Sequence, residues 1–220
     1  MQEQFWREKW IEGQIGFHRN APHEMLIKNY PVLNLAKNKN VLVPLCGKTL
    51  DLLFLRDLGA QVTGVELSEV ALDQFEQDNQ IKMNRTTKGD YQIRKSEGLE
   101  LICGNFFGIT ADTPFDAIYD RAAAIALPQE MRKIYFKKLQ ELLAPGGNIL
   151  MIFLNSESAQ VPLDFGPPFF IPRQEINEAF SGDYGIEVVD EKQSSEIPDR
   201  YREAGVTRIS ETALKITKRH

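Results

Sequence analysis

Cysteine occurs twice, at Cys46 and Cys103, and histidine three times in 220 residues. That is too little for a disulfide framework, and no CxxC or HExxH spacing offers a metal site. Basic charge is also short, with Lys+Arg 26 against Asp+Glu 31 and a net charge of -5. No electropositive field exists to neutralise a phosphate backbone, so nucleic acid is not an expected partner. Strongly apolar stretches such as Ile149 to Leu154 fall far below the roughly 20 residues that span a bilayer, and Met1 to Trp10 is charged, unlike a signal segment. No membrane partner and a cytoplasmic location are expected. Repeats, low-complexity tracts and Ser/Gly-rich linkers are missing as well. The chain is 42% hydrophobic and 26% charged, which predicts one globular domain, residues 1–220.

What is present alternates strand and helix. Asn40 to Leu45 (NVLVPL) is a short, wholly apolar run of the kind buried on both faces of a parallel sheet. Lys48 to Leu58 follows as a helix with Leu52, Leu55 and Leu58 on one face. Gln61 to Glu66 is a second strand, Ser68 caps a helix Glu69 to Gln80, and Lys82 to Gly98 is polar enough to hold a hairpin. Leu99 to Cys103 and Phe115 to Tyr119 are strands. Pro128 to Leu143 is an amphipathic helix with Met131, Tyr135, Leu139 and Leu142 inward. Pro145-Gly146-Gly147 predicts a turn, Asn148 to Leu154 a fifth strand, Arg173 to Phe180 a short helix, and 186–191 and 208–217 two more strands. Upstream, Gln2 to Glu12 sets Phe5, Trp6 and Trp10 on one side of a helix, and His23 to Tyr30 forms another, stopped by Pro31. This order predicts an α/β doubly wound sheet.

In such a sheet a ligand sits beyond the carboxyl ends of the strands, beside the first one. Leu45-Cys46-Gly47-Lys48 lies there. It is not a P-loop, because the position that needs glycine is Leu42, and it lacks GxGxxG, so neither a nucleoside triphosphate nor a dinucleotide is favoured. Glu66 ends the second strand about twenty residues after that turn, where a carboxylate accepts both hydroxyls of a ribose; a solvent-exposed loop glutamate is the alternative. Gly104-Asn105-Phe106 ends the third strand at the place for an adenine. Asp120-Arg121 ends the fourth, where Arg121 could bind a carboxylate or thiolate or simply pair with Asp120. Cys46 and Cys103 have no activating neighbour and are read as small buried residues. His18 is a conceivable acid or base, though a lone histidine is more often structural.

Several separated motifs in order carry a resemblance. Phe5-Trp6-Arg7-Glu8-Lys9-Trp10 with Gly13 and Phe17-His18, then Pro44-Leu45-Cys46-Gly47-Lys48, Gly64-Val65-Glu66-Leu67-Ser68, Tyr119-Asp120-Arg121 and Gly166-Pro167-Pro168-Phe169, resemble the bacterial thiopurine S-methyltransferases over essentially the whole chain. The resemblance implies a class I S-adenosylmethionine-dependent methyltransferase: a Rossmann-like, mostly parallel, seven-stranded sheet with its last strand antiparallel. Residues 1–35 would form a helical cover over the active site and 36–220 the α/β core. It implies cofactor contacts at Trp10, Leu45, Gly47, Glu66, Gly104, Asn105 and Arg121, acceptor contacts at Phe17 and Arg200, and no metal. Asp120 would orient Arg121, which would favour a thiolate. The loop 155–172 would help form the acceptor pocket. The expected reaction moves a methyl from S-adenosylmethionine to an aromatic or heterocyclic thiol, leaving S-adenosylhomocysteine, in a monomer. Selenium or tellurium compounds, halides and small thiols are rival acceptors, and a non-catalytic S-adenosylmethionine-binding module is a rival class.

Overall fold

A computed structural model describes residues 3–156, 165–194 and 196–219. Among these residues nine strands form one sheet in the order β3-β4-β5-β2-β1-β6-β7-β9-β8. β1 (Asn40–Pro44), β2 (Gln61–Glu66), β5 (Leu99–Cys103), β6 (Phe115–Arg121) and the body of β7 (Leu143–Asn155) run parallel. β9 (Ser210–Lys218) enters antiparallel between β7 and β8 (Tyr184–Gln193). The seven expected strands are therefore present. The two additional ones are a hairpin, β3 (Asn84–Lys88) and β4 (Tyr91–Ser96), that pairs antiparallel with β5 and extends the sheet.

Both faces are covered, as a parallel sheet of apolar strands requires. On one face α2 (Glu24–Asn29), α3 (Asp51–Asp57) and α4 (Glu69–Asn79) bury Met25, Leu26, Leu52, Leu55, Leu72 and Phe75 against Val41, Val43, Val62, Leu101, Leu150 and Ile152. On the other, α5 (Gln129–Leu142) and α6 (Arg173–Ala179) pack Tyr135, Phe136, Leu139 and Ile176 on Ile118, Ile149, Met151, Leu214 and Ile216. Ser68 caps α4 as expected, its Oγ accepting the Ala71 N–H at 3.4 Å.

Some local readings shift. Leu58 lies beyond α3 and is exposed, because that helix closes at Asp57. The Pro145-Gly146-Gly147 turn is an extended, irregular lead-in to β7: Leu143 pairs with Phe115, and the register shifts before Ala117 meets Asn148. A Cβ on Gly147 would come within 2.9 Å of the Ala144 and Asp116 carbonyls, so the two strands close in only with glycine there.

The hairpin is fastened from below by charge. Arg94 on β4 is fully buried, and its Nη1 donates to Asp73 at 2.8 Å and Glu76 at 2.7 Å on α4. This explains how a polar segment joins the sheet without an apolar face of its own.

Candidate active site

The strands β2, β1 and β6 are neighbours, and the segments leaving their carboxyl ends surround one cavity of 690 Å³. That is within the usual range for small-ligand sites. Trp10, Phe17, Leu45, Gly47, Glu66, Asn105, Arg121 and Arg200 all line it. Residues separated by up to 190 positions in sequence are brought together there, from strand ends and from the helices α1 (Glu3–Ile11) and α7 (Asp199–Glu203).

Glu66 is 6% exposed yet faces the cavity. One carboxylate oxygen accepts the Gly47 N–H and the other the Ser68 N–H, both at 2.8 Å. Burial raises its pKa, and the backbone donors at Ser68, Gly47 and Leu67 oppose that rise. Each oxygen keeps a lone pair for a further donor, such as a sugar hydroxyl. Glu66 is thus not the exposed loop residue of the alternative reading.

The turn after β1 is conformationally demanding. Leu45 has φ +47°, and Gly47 has φ +54° with the Trp10 ring against it: a Cβ there would sit 2.8 Å from Trp10 Cζ2. Ala122, just past β6, is also left-handed at φ +60°. A non-glycine residue in that region costs on the order of 1–3 kcal/mol, and such strain clusters at ligand sites.

Over the cavity lies α1 (Glu3–Ile11), whose Trp10 is 3% exposed. Phe17 stacks edge-on against both Trp6 (5.9 Å) and Trp10 (5.5 Å), making an aromatic roof. The start of α1 is tied to the site: Asn105 Nδ2 donates to Glu3 at 2.8 Å, while Asn105 Oδ1 caps the next turn through Phe107 N–H. At the opposite rim, Arg200 on α7 (Asp199–Glu203) donates to the Pro167 carbonyl at 2.9 Å, and Tyr201 to that of Pro168 at 2.9 Å. Gly166, Pro167 and Pro168 border the cavity; residues 157–164 of the 155–172 loop lie outside the described residues.

Two expected site residues stand elsewhere. Asp120 does not orient Arg121, because successive strand residues face opposite sides of the sheet. Its carboxylate is buried on the α5 face, accepting from Tyr135 Oη at 2.8 Å and Ala124 N–H at 3.2 Å. Burial pushes its pKa from 3.8 to about 6. Gly104 does not line the cavity either. The Tyr91 ring from β4 covers it, so close that a Cβ would fall 2.4 Å from the ring. Arg121, on the other face from Asp120, lines the cavity, and its guanidinium makes no salt bridge or hydrogen bond among the described residues.

A second polar group on the wall was not visible in sequence. Asp51, 1% exposed, accepts the His23 N–H at 2.7 Å and Tyr119 Oη at 3.0 Å, and His23 Nε2 lies 3.2 Å from Glu211 Oε1. Asp51, Tyr119 and Glu211 all line the cavity. His18 does too, its pKa lowered by burial and by Lys48, consistent with a neutral imidazole. Burial and the charge of Glu66 raise the pKa of Cys46, which favours its thiol form. Only the alternation of Tyr119 with Arg121, and a lone Glu in the last strand, could have signalled this wall.

A doubly wound sheet, a glycine turn after β1 and a buried carboxylate ending β2 fit the ribose site of a nucleoside-binding α/β protein. The profile of the family described as Thiopurine S-methyltransferase (TPMT) matches residues 1–219. The thiopurine S-methyltransferase of Pseudomonas fluorescens strain Pf0-1 is 38% identical over 218 residues, covering 98% of this chain and 99% of the relative. That of Shewanella baltica strain OS223 is 37% identical over 221 residues, covering 100% of both. Among solved structures, an S-adenosylmethionine-dependent methyltransferase from Thiobacillus denitrificans in complex with S-adenosyl-L-homocysteine shares the fold at TM-score 0.62 and 17% identity, covering 96% of this chain and 98% of that one. The Burkholderia thailandensis 1,6-didemethyltoxoflavin-N1-methyltransferase does so at TM-score 0.63 and 15% identity, covering 99% and 87%. The chain belongs to the thiopurine S-methyltransferase family and is a methyltransferase that uses S-adenosylmethionine.

Proposed function

We propose that the acceptor is the sulfur of an aromatic or heterocyclic thiol, thiopurines among them. The observation that carries this reading is the cavity itself: an aromatic roof of Trp6, Trp10 and Phe17, and on the same cavity an Arg121 guanidinium that no ion pair holds among the described residues. Such a site suits a flat ring bearing a soft, partly anionic atom.

S-adenosylmethionine supplies an activated methyl on a sulfonium, so the protein has mainly to bind, align and exclude water. Glu66, with its two oxygens already fixed by backbone donors, takes the ribose hydroxyls. Gly47 lets the backbone come close beneath Trp10, and Leu45 and Trp10 wall the cofactor. Asn105 closes the adenine end and holds α1 through Glu3. Arg121 favours the thiolate by charge; as a permanent cation it removes no proton. Holding the reactants in line is worth about 7–11 kcal/mol.

Transfer of labelled methyl from S-adenosylmethionine to 6-mercaptopurine, beside a no-acceptor control, tests this. Transfer is expected, with Arg121→Ala reduced by about 10–100-fold, the worth of a hydrogen bond to a charged group. No transfer by a parent protein that binds S-adenosylhomocysteine would remove the thiol reading and turn the search to selenium, tellurium or halide acceptors.

A further inference from the structure

Glu211 belongs to the same sheet face as Arg121. Arg121 pairs with Ile152 and Ile152 with Ala213, while Glu211, two residues before Ala213, pairs with Leu154. Paired residues point to one side, so Tyr119, Arg121, Ile152, Leu154 and Glu211 make a continuous wall, and all five line the cavity. The wall carries a cation at one side and a carboxylate at the other, their backbones two strand spacings, roughly 10 Å, apart across the sheet.

The carboxylate is propped from behind. His23 is buried, and its Nδ1 accepts the Met25 N–H at 3.3 Å; the hydrogen-bond pattern therefore assigns the ring proton to Nε2, 3.2 Å from Glu211 Oε1. That nitrogen makes no aligned hydrogen bond to any described residue, and its 3.2 Å approach to Glu211 is a close polar contact. The charged and titratable groups around Glu211 are His23 at the N-cap of α2, Arg19 before it, Arg121 and Tyr119 on β6, and Lys192, its register partner on β8, whose Nζ is held by Glu24. His23, Arg121 and Arg19 hold its pKa below the ordinary value against the opposing effect of burial. An ionised acceptor group thus faces the cavity with its second oxygen uncommitted.

We propose that Glu211 binds the ring N–H of a heterocyclic thione and receives that proton as the sulfur is methylated, with His23 as its positioning residue. This rests on the thiol reading above. A thione carries its hydrogen on ring nitrogen and cannot leave the sulfur as a neutral thioether until that hydrogen departs. The thione sulfur forms the new bond to the methyl carbon, and the methyl–sulfonium bond breaks with its pair returning to the cofactor sulfur. The N–H pair restores the ring C=N bond, and the proton passes to the Glu211 carboxylate. The balance is one sulfonium and one thione in, two thioethers and one proton out. The wall then selects for acceptors with an N–H beside the sulfur, a preference that a simple aromatic thiol does not satisfy.

The test compares kcat/KM for pyridine-2-thione, which has the N–H, with that for thiophenol, which lacks it. In Glu211→Gln the ratio of the two is expected to fall at least tenfold, and Glu211→Asp to recover part of it. A structural role would lower both acceptors together and leave the ratio unchanged, which would overturn the proposal. If Glu211→Gln does not fold, Glu211→Asp alone decides by the same ratio. Failure of the parent protein to methylate either acceptor would instead refute the thiol reading, and the role of Glu211 with it.

Discussion

Replacing Asp120 by asparagine separates a folding role from a chemical one. The carboxylate is fully buried, accepts from Tyr135 and Ala124, and holds a pKa of about 6 against 3.8 in an ordinary setting. Between those values the folded chain keeps a proton that the unfolded chain releases. Stability from this group is therefore fully present below pH 4 and lost as pH rises to about 6. At about 1.4 kcal/mol per unit, the loss approaches about 3 kcal/mol by pH 7. Asparagine is of the same size; its oxygen can take the Ala124 N–H, and its amide can donate to the Tyr135 oxygen. Chemical unfolding of parent and Asp120→Asn from pH 4 to 8 should show a difference in free energy that shifts in favour of the variant as pH rises. Taking the difference cancels the other carboxylates, including Glu66, whose pKa is also raised, and Glu211, whose pKa is lowered. A difference independent of pH would refute the argument. So would a normally folded variant that has lost methyl transfer, since that would give the carboxylate a chemical role.

Two further predictions use the same site and the opposite face. Gly47→Ala places a side chain in the left-handed region and against Trp10 Cζ2, costs of about 1–2 and 1–3 kcal/mol respectively. S-adenosylhomocysteine affinity should fall at least tenfold with a red shift of tryptophan emission as Trp10 leaves its buried seat; unchanged affinity would place the ligand elsewhere. Arg132 is fully buried, gripping Glu175 with two bonds of 2.6 and 2.7 Å and the Leu127 carbonyl with a third at 2.9 Å. Glu175→Ala leaves that charge uncompensated and should cost about 3–5 kcal/mol in urea unfolding at pH 7, whereas a loss below about 1 kcal/mol would show that water reaches the guanidinium.

The central strands were legible because runs such as NVLVP and ILMIFL are apolar over lengths too short for helices. Helix ends were less so: α3 begins at Asp51, where the expectation began at Lys48, since the demanding turn takes up the residues between. The hairpin was only half visible, because β3 and β4 are held by Arg94 and its acids and by pairing to β5, neither of which leaves a hydrophobic period. Glu66 and Arg121 could be placed from strand ends alone. Asp120 misled because adjacency in a strand means opposition across the sheet. Tyr91 over Gly104 and the His23–Glu211 contact join residues 13 and 188 apart, and no local spacing announces either.

The hairpin also determines where the sheet stops. β3 exposes all five of its residues, Arg85 and Lys88 among them, and the far rim, β8, carries Glu187, Asp190, Glu191 and Lys192. A second chain adding itself to either rim would have to lay its backbone along charged side chains. Without the hairpin, the rim would be β5, whose Leu99 and Leu101 are buried and whose edge would offer itself to any extended strand. The added pair of strands thus makes a sheet that cannot readily polymerise, and through Tyr91, whose Oη donates to the Asn105 carbonyl at 3.1 Å, the same pair braces one end of the cavity.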